Sequence, residues 1–471
     1  MTVIDTSTAP SAGDPLIGSF APSPAGPVDG LPLVAPPVIP LPAPIQLARF
    51  GRRPLPFLFR ARRELGEVFT FDVPIEDREL VITGHPDHAK SLFTAKPDLV
   101  PSMTAESPLR PIMGEGVLTT NGDRHMRQRK LLLPPFHGEA IKQYEAMIEA
   151  TIHRELDRWK QGDTFRLAER MQAVTLDVIM AGIFGVEGEP PEGSTERRLR
   201  DMTRRALSMS EKPWFVPLEL RNLGRTEPVG LLKRLIDAVD RHYYQLIRER
   251  RAQPEAERGT DILSLLLSVT DEDGVLLTDH EIRDELITLV LAGHETTANQ
   301  LAWAFERLTR TPAAHATLRD LVRRDDEGAG AYVEATIHEA MRARPVIPLV
   351  GRHVTSDWQL GEYVVPAGTR ISVAIILVHH REDLYPQPFA FRPERFLATK
   401  PGTYTWIPFG GGTRRCLGAA LAMAEMRIVL RAITERMDLE APDPTPEREQ
   451  HRNVTLLPGR GGQVTVARRL S

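Results

Sequence analysis

Hydrophobic residues recur at helical spacing along most of the chain. Apolar positions that follow the i, i+3, i+4, i+7 pattern predict amphipathic helices, and alternating apolar and polar positions predict strands. Helical periodicity covers 50–65, 86–94, 124–133, 138–160, 167–184, 196–207, 229–252, 262–269, 279–310, 313–323, 330–342 and 417–437. Strand-like runs occupy 68–73, 79–83, 354–359, 370–374 and 463–467. The pattern predicts a mainly α fold with a minor β portion.

The start of the chain lacks this periodicity. Residues 31–47 contain six prolines, and each proline removes a helix donor. The stretch is also too short to span a bilayer comfortably, so we expect no membrane span. We predict a proline-rich N-terminal extension over 1–47, forming an extended strap, and a single large domain over 48–471. The first residues lack the order of a secretory signal.

Composition excludes several classes of protein. The net charge of -4 gives no indication of nucleic-acid binding. The single cysteine excludes an intramolecular disulfide, so the fold makes no use of an oxidising compartment. We therefore expect a cytoplasmic protein, and a monomer.

The single cysteine lies in a glycine-rich segment, Phe409-Gly-Gly-Gly-Thr-Arg-Arg-Cys416-Leu-Gly418, directly before an apolar helix. A helix N-terminus and the adjacent Arg414 and Arg415 favour a thiolate. Gly418 lets the backbone approach a bulky cofactor closely. An isolated cysteine is more often a small buried hydrophobe, so the surrounding pattern decides the interpretation.

A second unusual segment, Ala292-Gly-His-Glu-Thr-Thr297, interrupts the longest predicted helix. Gly293 costs about 1 kcal/mol relative to alanine in a helix interior. One helix face, suited to lie against a flat macrocycle, carries Leu289, Ala292, Gly293, Thr296 and Gln300. Taken alone, the segment is better explained as a glycine kink with capping threonines and a solvated Glu295.

The cysteine segment matches the pattern F-x-x-G-x-R-x-C-x-G at every fixed position, and the chain here resembles the cytochrome P-450 family. The resemblance implies a cytochrome P-450 fold and a haem b whose iron is ligated by the Cys416 thiolate. It also implies that Phe409 packs near the sulfur and that Ala292 and Gly293 border the haem. Glu295 and Thr296 would form the acid–alcohol pair that supplies protons for oxygen activation.

The resemblance assigns further residues. Four basic residues would bind the haem propionates, namely His125, Arg129, Arg352 and Arg414. The family often has tryptophan where this chain has His125, but an imidazole N–H can donate the same bond. A buried structural cluster would consist of Glu339, Arg342 and Arg395.

These residues predict a monooxygenase that hydroxylates or epoxidises a lipophilic small molecule such as a fatty acid, terpenoid or steroid. Electrons would come from a ferredoxin or flavodoxin with its NAD(P)H-dependent reductase, because the chain has no dinucleotide-binding G-x-G-x-x-G turn. A basic patch on the cysteine side, formed by Arg124, Arg127, Lys130 and Arg415, would receive an acidic ferredoxin. Two alternatives stay open: a peroxygenase or isomerase of the same fold, and a haem-binding sensor or carrier.

The expected substrate pocket is apolar, which is the reason for predicting a lipophile. Its predicted lining residues are Leu109, Ile112, Met113, Leu118, Leu289, Ile347, Pro348, Leu349, Leu456 and Leu457. No cation stands among them.

Overall fold

Local capping signals set the ends of the long helices. The Thr278 hydroxyl accepts a hydrogen bond from the Glu281 N–H, and the Glu281 carboxylate accepts one from the Thr278 N–H, which forms a capping box at the start of helix 279–308. Helix 167–184 ends at Gly185, whose φ of 69° is left-handed. The structure, a computed structural model, describes residues 16–73, 78–107, 109–136, 138–186, 188, 190–210, 215–222, 225–270 and 274–470.

The described residues form sixteen α-helices. They are α1 (Ala43–Arg52), α2 (Pro54–Leu65), α3 (Pro86–Thr94), α4 (Arg110–Met113), α5 (Gly122–Leu132), α6 (Glu139–Leu156), α7 (Leu167–Phe184), α8 (Thr195–Ser210), α9 (Val216–Asn222), α10 (Gly230–Arg251), α11 (Ile262–Ser268), α12 (Asp279–Leu308), α13 (Pro312–Arg323), α14 (Ala329–Ala343), α15 (Ile375–His379) and α16 (Ala419–Arg436). Each predicted helix from residue 86 onward is present. The predicted segment 50–65 is divided, because Pro54 holds Arg53 out of the helical region.

Twelve strands form four small sheets within the described residues. They are β1 (Ala25–Pro27), β2 (Val68–Val73), β3 (Arg78–Thr83), β4 (Thr164–Arg166), β5 (Leu349–His353), β6 (Trp358–Leu360), β7 (Tyr363–Val365), β8 (Arg370–Ala374), β9 (Met437–Glu440), β10 (Glu449–Arg452), β11 (Thr455–Pro458) and β12 (Gln463–Arg469). The sheet orders are β2-β3-β8-β5, β1-β6-β7, β4-β12-β9 and β10-β11. The strand predicted at 354–359 is found instead at Trp358–Leu360, as β6. The mainly α fold class is confirmed.

Helix α12 lies at the centre of the largest core cluster. Its residues Leu301 and Phe305 are buried among apolar side chains of α6, α7, α13, α14 and α16. The close approach of α7 leaves little room at Gly293, since a Cβ there would lie 2.8 Å from Cδ1 of Ile179 and would displace that side chain. The cysteine segment, 409–418, comes just before α16, and the segment 292–297 lies in α12. Packing of α12 and α16 in this core therefore places the two segments on opposite sides of one internal cavity.

The N-terminal strap is extended along the sheets. Strand β1 pairs with β6, the Val34 N–H donates to the Val364 carbonyl, and the Ile39 N–H donates to the Thr70 carbonyl. The predicted boundary at residue 47 falls inside α1, so the strap continues directly into the helical body. The first fifteen residues of the predicted extension lie outside the described residues.

A fully buried ion cluster ties α14 to the segment that precedes the cysteine. Both carboxylate oxygens of Glu339 accept hydrogen bonds from the Arg342 guanidinium, at 2.6 and 2.8 Å. The Arg392 N–H donates to the same carboxylate, and the Arg395 guanidinium lies 3.4 Å from it. Arg395 also donates to the Leu16 carbonyl of the strap. The three residues grouped by the resemblance therefore lie together.

Replacing Glu339 with glutamine should lower the free energy of unfolding by about 3–5 kcal/mol, because two buried guanidinium groups lose their counter-charge. Urea unfolding followed by circular dichroism measures this. The matched control is Glu64→Gln, which breaks the exposed Arg60–Glu64 pair and should cost about 0.5 kcal/mol. Equal effects of the two substitutions would contradict a special role for the buried cluster.

Candidate functional site

The cysteine loop is closed by its own backbone. The Cys416 N–H donates to the Phe409 carbonyl at 2.9 Å, and the loop then enters α16. Gly412 has a φ of 64°, and a Cβ there would collide with the Phe93 carbonyl. Only glycine fits this position, which explains one of the three consecutive glycines that follow Phe409.

The Cys416 side chain is surrounded by protein but opens onto a large internal cavity. Desolvation raises the pKa of the thiol, whereas the Gly418 N–H and the Arg415 and Arg129 guanidinium groups act in the opposite direction. These donors and charges favour a thiolate once a positive ligand replaces the proton. The cavity measures about 1000 Å³ and also reaches α5, α12 and β5.

Four basic side chains converge on one edge of this cavity. They are His125 and Arg129 of α5, Arg352 of β5 and Arg414 of the cysteine loop. Burial and the three neighbouring guanidinium groups lower the pKa of His125 to about 3. Burial, Arg352 and Arg129 lower the pKa of Arg414 to about 10.

Backbone and amide oxygens hold this cation cluster in place. Arg414 donates to the Thr120 carbonyl and to Oδ1 of Asn121, and Arg352 donates to the Gly351 carbonyl at 3.0 Å. The charges that act on Arg414 are other cations, so the cluster carries a surplus of positive charge. That surplus fits a dianionic ligand such as haem with its two propionates.

The opposite wall of the cavity is α12. The residues predicted to share one face, Leu289, Ala292, Gly293, Thr296 and Gln300, all line the cavity. Ala292 is exposed to it, and the Thr296 hydroxyl donates to the Ala292 carbonyl at 2.7 Å. The Thr296 oxygen thus keeps its lone pairs available on the cavity side.

Glu295 is held by a residue that the sequence did not indicate. Its carboxylate forms an ion pair with Arg452, at the end of β10, and both side chains are about one-fifth exposed. Both residues line the cavity. The strand pattern of 449–458 contained no motif, so nothing in the sequence indicated that a cation from the C-terminal hairpin would meet this acid.

A second carboxyl group in the cavity wall was also missed. Burial raises the pKa of Glu425, in α16, to about 8, which favours its neutral form at pH 7. Its Oε1 atom has no hydrogen-bond partner among the described residues, and neither has Nε2 of Gln300 on α12. The sequence feature that could have indicated this carboxyl group is the position of Glu425 within an apolar stretch of α16.

Most of the predicted pocket residues line the cavity: Leu109, Ile112, Met113, Leu118, Leu289, Ile347 and Leu349. Pro348, Leu456 and Leu457 do not. In the β10–β11 hairpin, residues 452–455 reach the cavity, while Leu456 is buried with the N-terminal cluster, and its carbonyl accepts from Trp303 Nε1. The cavity wall also includes four cations outside the predicted set, namely Arg205, Arg370, Arg415 and Arg452.

Comparisons with known proteins agree with this geometry. The family described as Cytochrome P450 matches residues 35–466. The relative named cytochrome P450 138 of Mycobacterium tuberculosis is 38% identical over 445 residues, which cover 92% of this chain and 98% of the relative. Cytochrome P450 137 of the same organism is 39% identical over 410 residues, 86% and 84% of the two chains, and cytochrome P450 135B1 is 36% identical over 431 residues, 90% and 89%. The chain belongs to the cytochrome P450 family of haem-thiolate monooxygenases.

Proposed function

We propose that this chain binds haem through Cys416 and oxidises an elongated lipophile, by hydroxylation or epoxidation, with electrons from a separate protein. The observation that carries the proposal is the continuous cavity of about 1000 Å³, which joins the cysteine, the cation cluster, α12 and a largely apolar wall. When bound, the haem supplies the centre that activates dioxygen. His125, Arg129, Arg352 and Arg414 bind its propionates.

Thr296 and Glu295 act as the proton relay. The Thr296 hydroxyl, anchored to the Ala292 carbonyl, accepts and passes on a proton at its oxygen atom. Glu295 forms an ion pair with Arg452 and directly precedes Thr296 on α12. A carboxylate at the cavity edge can take protons from solvent, while the apolar wall excludes bulk water from the reacting carbon.

Thr296→Ala should preserve substrate binding and reduction but lower the yield of product per NAD(P)H about tenfold or more, because proton delivery fails. The measurement is product formed against NAD(P)H consumed and peroxide released. Thr309→Ala is the matched control, since Thr309 makes the same i−4 hydrogen bond, to Phe305, but does not line the cavity. An unchanged yield in Thr296→Ala would remove Thr296 from the relay.

Cys416→Ser should eliminate the thiolate-type absorption band of the reduced carbon monoxide complex, because an alcohol is a weak, protonated ligand at neutral pH. Haem can be retained through the propionate contacts, so the haem content is measured in parallel. Thr413→Ser is the control in the same loop and should leave the band unchanged. A Cys416→Ser protein that kept the band would refute Cys416 as the ligand.

Substrate binding should strengthen about fourfold for each added methylene in a series of fatty acids or alcohols, until the cavity is full, since each buried methylene contributes about 0.8 kcal/mol. The shift of the Soret band reports binding. Comparing each acid with its alcohol tests whether the cations in the wall, Arg205 and Arg370, favour a carboxylate. Tight binding of small charged compounds, with no response to any lipophile, would contradict the proposed substrate class.

A ferredoxin or flavodoxin with its NAD(P)H-dependent reductase is the proposed electron source, in the cytoplasm. The exposed Arg415 and Lys130 support docking on the cysteine side. The basic patch is smaller than the sequence predicted, because Arg124 is paired with Glu115 and Arg127 with Glu281. The relay residues favour this monooxygenase over a peroxygenase, isomerase or haem carrier, and NAD(P)H-dependent product formation distinguishes the monooxygenase from the other three.

A further inference from the structure

An apolar surface without a protein partner runs along the N-terminal strap and α1. Six of its large hydrophobic side chains are between 36% and 57% exposed, namely Leu31, Leu33, Val34, Val38, Ile45 and Leu47. The intervening residues of 31–35 are exposed as well. We name these six residues the strap patch. A group of large exposed apolar side chains on neighbouring segments is typical of a surface that binds another molecule or a membrane.

Along the strap and α1, the sequence carries charge of one sign. From Leu31 to Arg63 the sequence contains six arginines and no acidic residue, although the chain as a whole is net negative. Four of the six are exposed and have no carboxylate within 4 Å among the described residues: Arg49, Arg52, Arg53 and Arg63. Arg60 and Arg62 are paired, with Glu64 and Glu67.

The two faces of α1 explain how apolar and basic groups come to lie together. Gln46 and Phe50 are buried, and Gln46 donates to the carbonyls of Ile39 and Leu41. Ile45, Arg49 and Arg52 therefore remain on the outer face, at spacings of four and three residues. A short helix with apolar and basic residues on its outer face is suited to lie in the plane of a membrane interface.

We propose that the strap patch and the adjacent arginines dock this protein on the surface of an anionic lipid bilayer. Apolar side chains enter the headgroup region, and the arginines meet lipid phosphates. None of the helices in the described residues is long and apolar enough to cross a membrane. The proposed contact is with the surface of the bilayer. The proposal does not depend on the substrate or on turnover.

The same surface adjoins the cavity. Leu80 and Leu349 line the cavity and also pack against the cluster that contains Ile39 and Phe50, directly beneath the strap. A docked molecule would thus bring one wall of its cavity close to the lipid phase, in which lipophiles concentrate.

The test uses the full-length holoprotein and vesicles of phosphatidylcholine with or without phosphatidylglycerol. We expect binding to the anionic vesicles in flotation assays, weakening as salt rises. Arg49→Gln/Arg52→Gln/Arg53→Gln should lower the partition coefficient roughly a hundredfold. The control Arg158→Gln/Arg166→Gln/Arg324→Gln removes the same charge from exposed positions elsewhere and should have little effect.

Insertion of the patch itself is measured with a fluorophore. The only native cysteine, Cys416, is expected to ligate haem, so Leu33→Cys offers a single reactive thiol for an environment-sensitive label. Its emission should shift to shorter wavelength on anionic vesicles. A label at Leu265→Cys on α11, also an exposed leucine (43% against 57% for Leu33), should not respond. Absence of vesicle binding, equal loss in both arginine triples, or a patch-dependent dimer in light scattering would each overturn the proposal.

Discussion

The buried Glu339–Arg342 ion pair is the interaction on which the cysteine site depends. Arg342 donates to the carbonyls of His379, Pro388 and Ala390, so one guanidinium holds α15 and the chain that follows it against α14. The His379 Nε2 atom accepts a hydrogen bond from the Ile407 N–H, two residues before Phe409. The position of the cysteine loop is therefore set by hydrogen bonds that begin at a fully desolvated charge pair, whose geometry tolerates little change.

The second constraint on the site is electrostatic repulsion, whereas the Glu339–Arg342 pair is attractive. The cation cluster brings the guanidinium groups of Arg129, Arg352 and Arg414 together around a neutral His125, and the three charges repel one another in a poorly solvated space. Protein stability alone does not favour such an arrangement, because buried charges without counter-charges are costly. Repulsion in the cluster lowers the stability of the ligand-free protein, and binding of an anionic ligand offsets this loss. Ligand binding and folding are thermodynamically linked for this reason.

The sequence could predict whatever depends on local pattern. Helix periodicity placed α7 and α12 closely, and the cysteine motif, with its fixed glycines, identified the loop. Contacts between distant segments could not be predicted, because no local signal encodes them. Arg452 and Glu295 form an ion pair although they are 157 residues apart in the sequence. Leu456 points away from the cavity because of the register of the β10–β11 hairpin, and no pattern in the sequence indicated that hairpin.

That hairpin also gives the proposed relay a physical connection to the substrate. Asn453, Val454 and Thr455 line the cavity at the tip between β10 and β11, next to the Arg452 that pairs with Glu295. A ligand in contact with the tip would therefore lie next to this ion pair, because residues 452–455 are consecutive in one short turn. In the proposed relay, the carboxylate that would supply Thr296 is thus anchored to the same hairpin that borders the cavity.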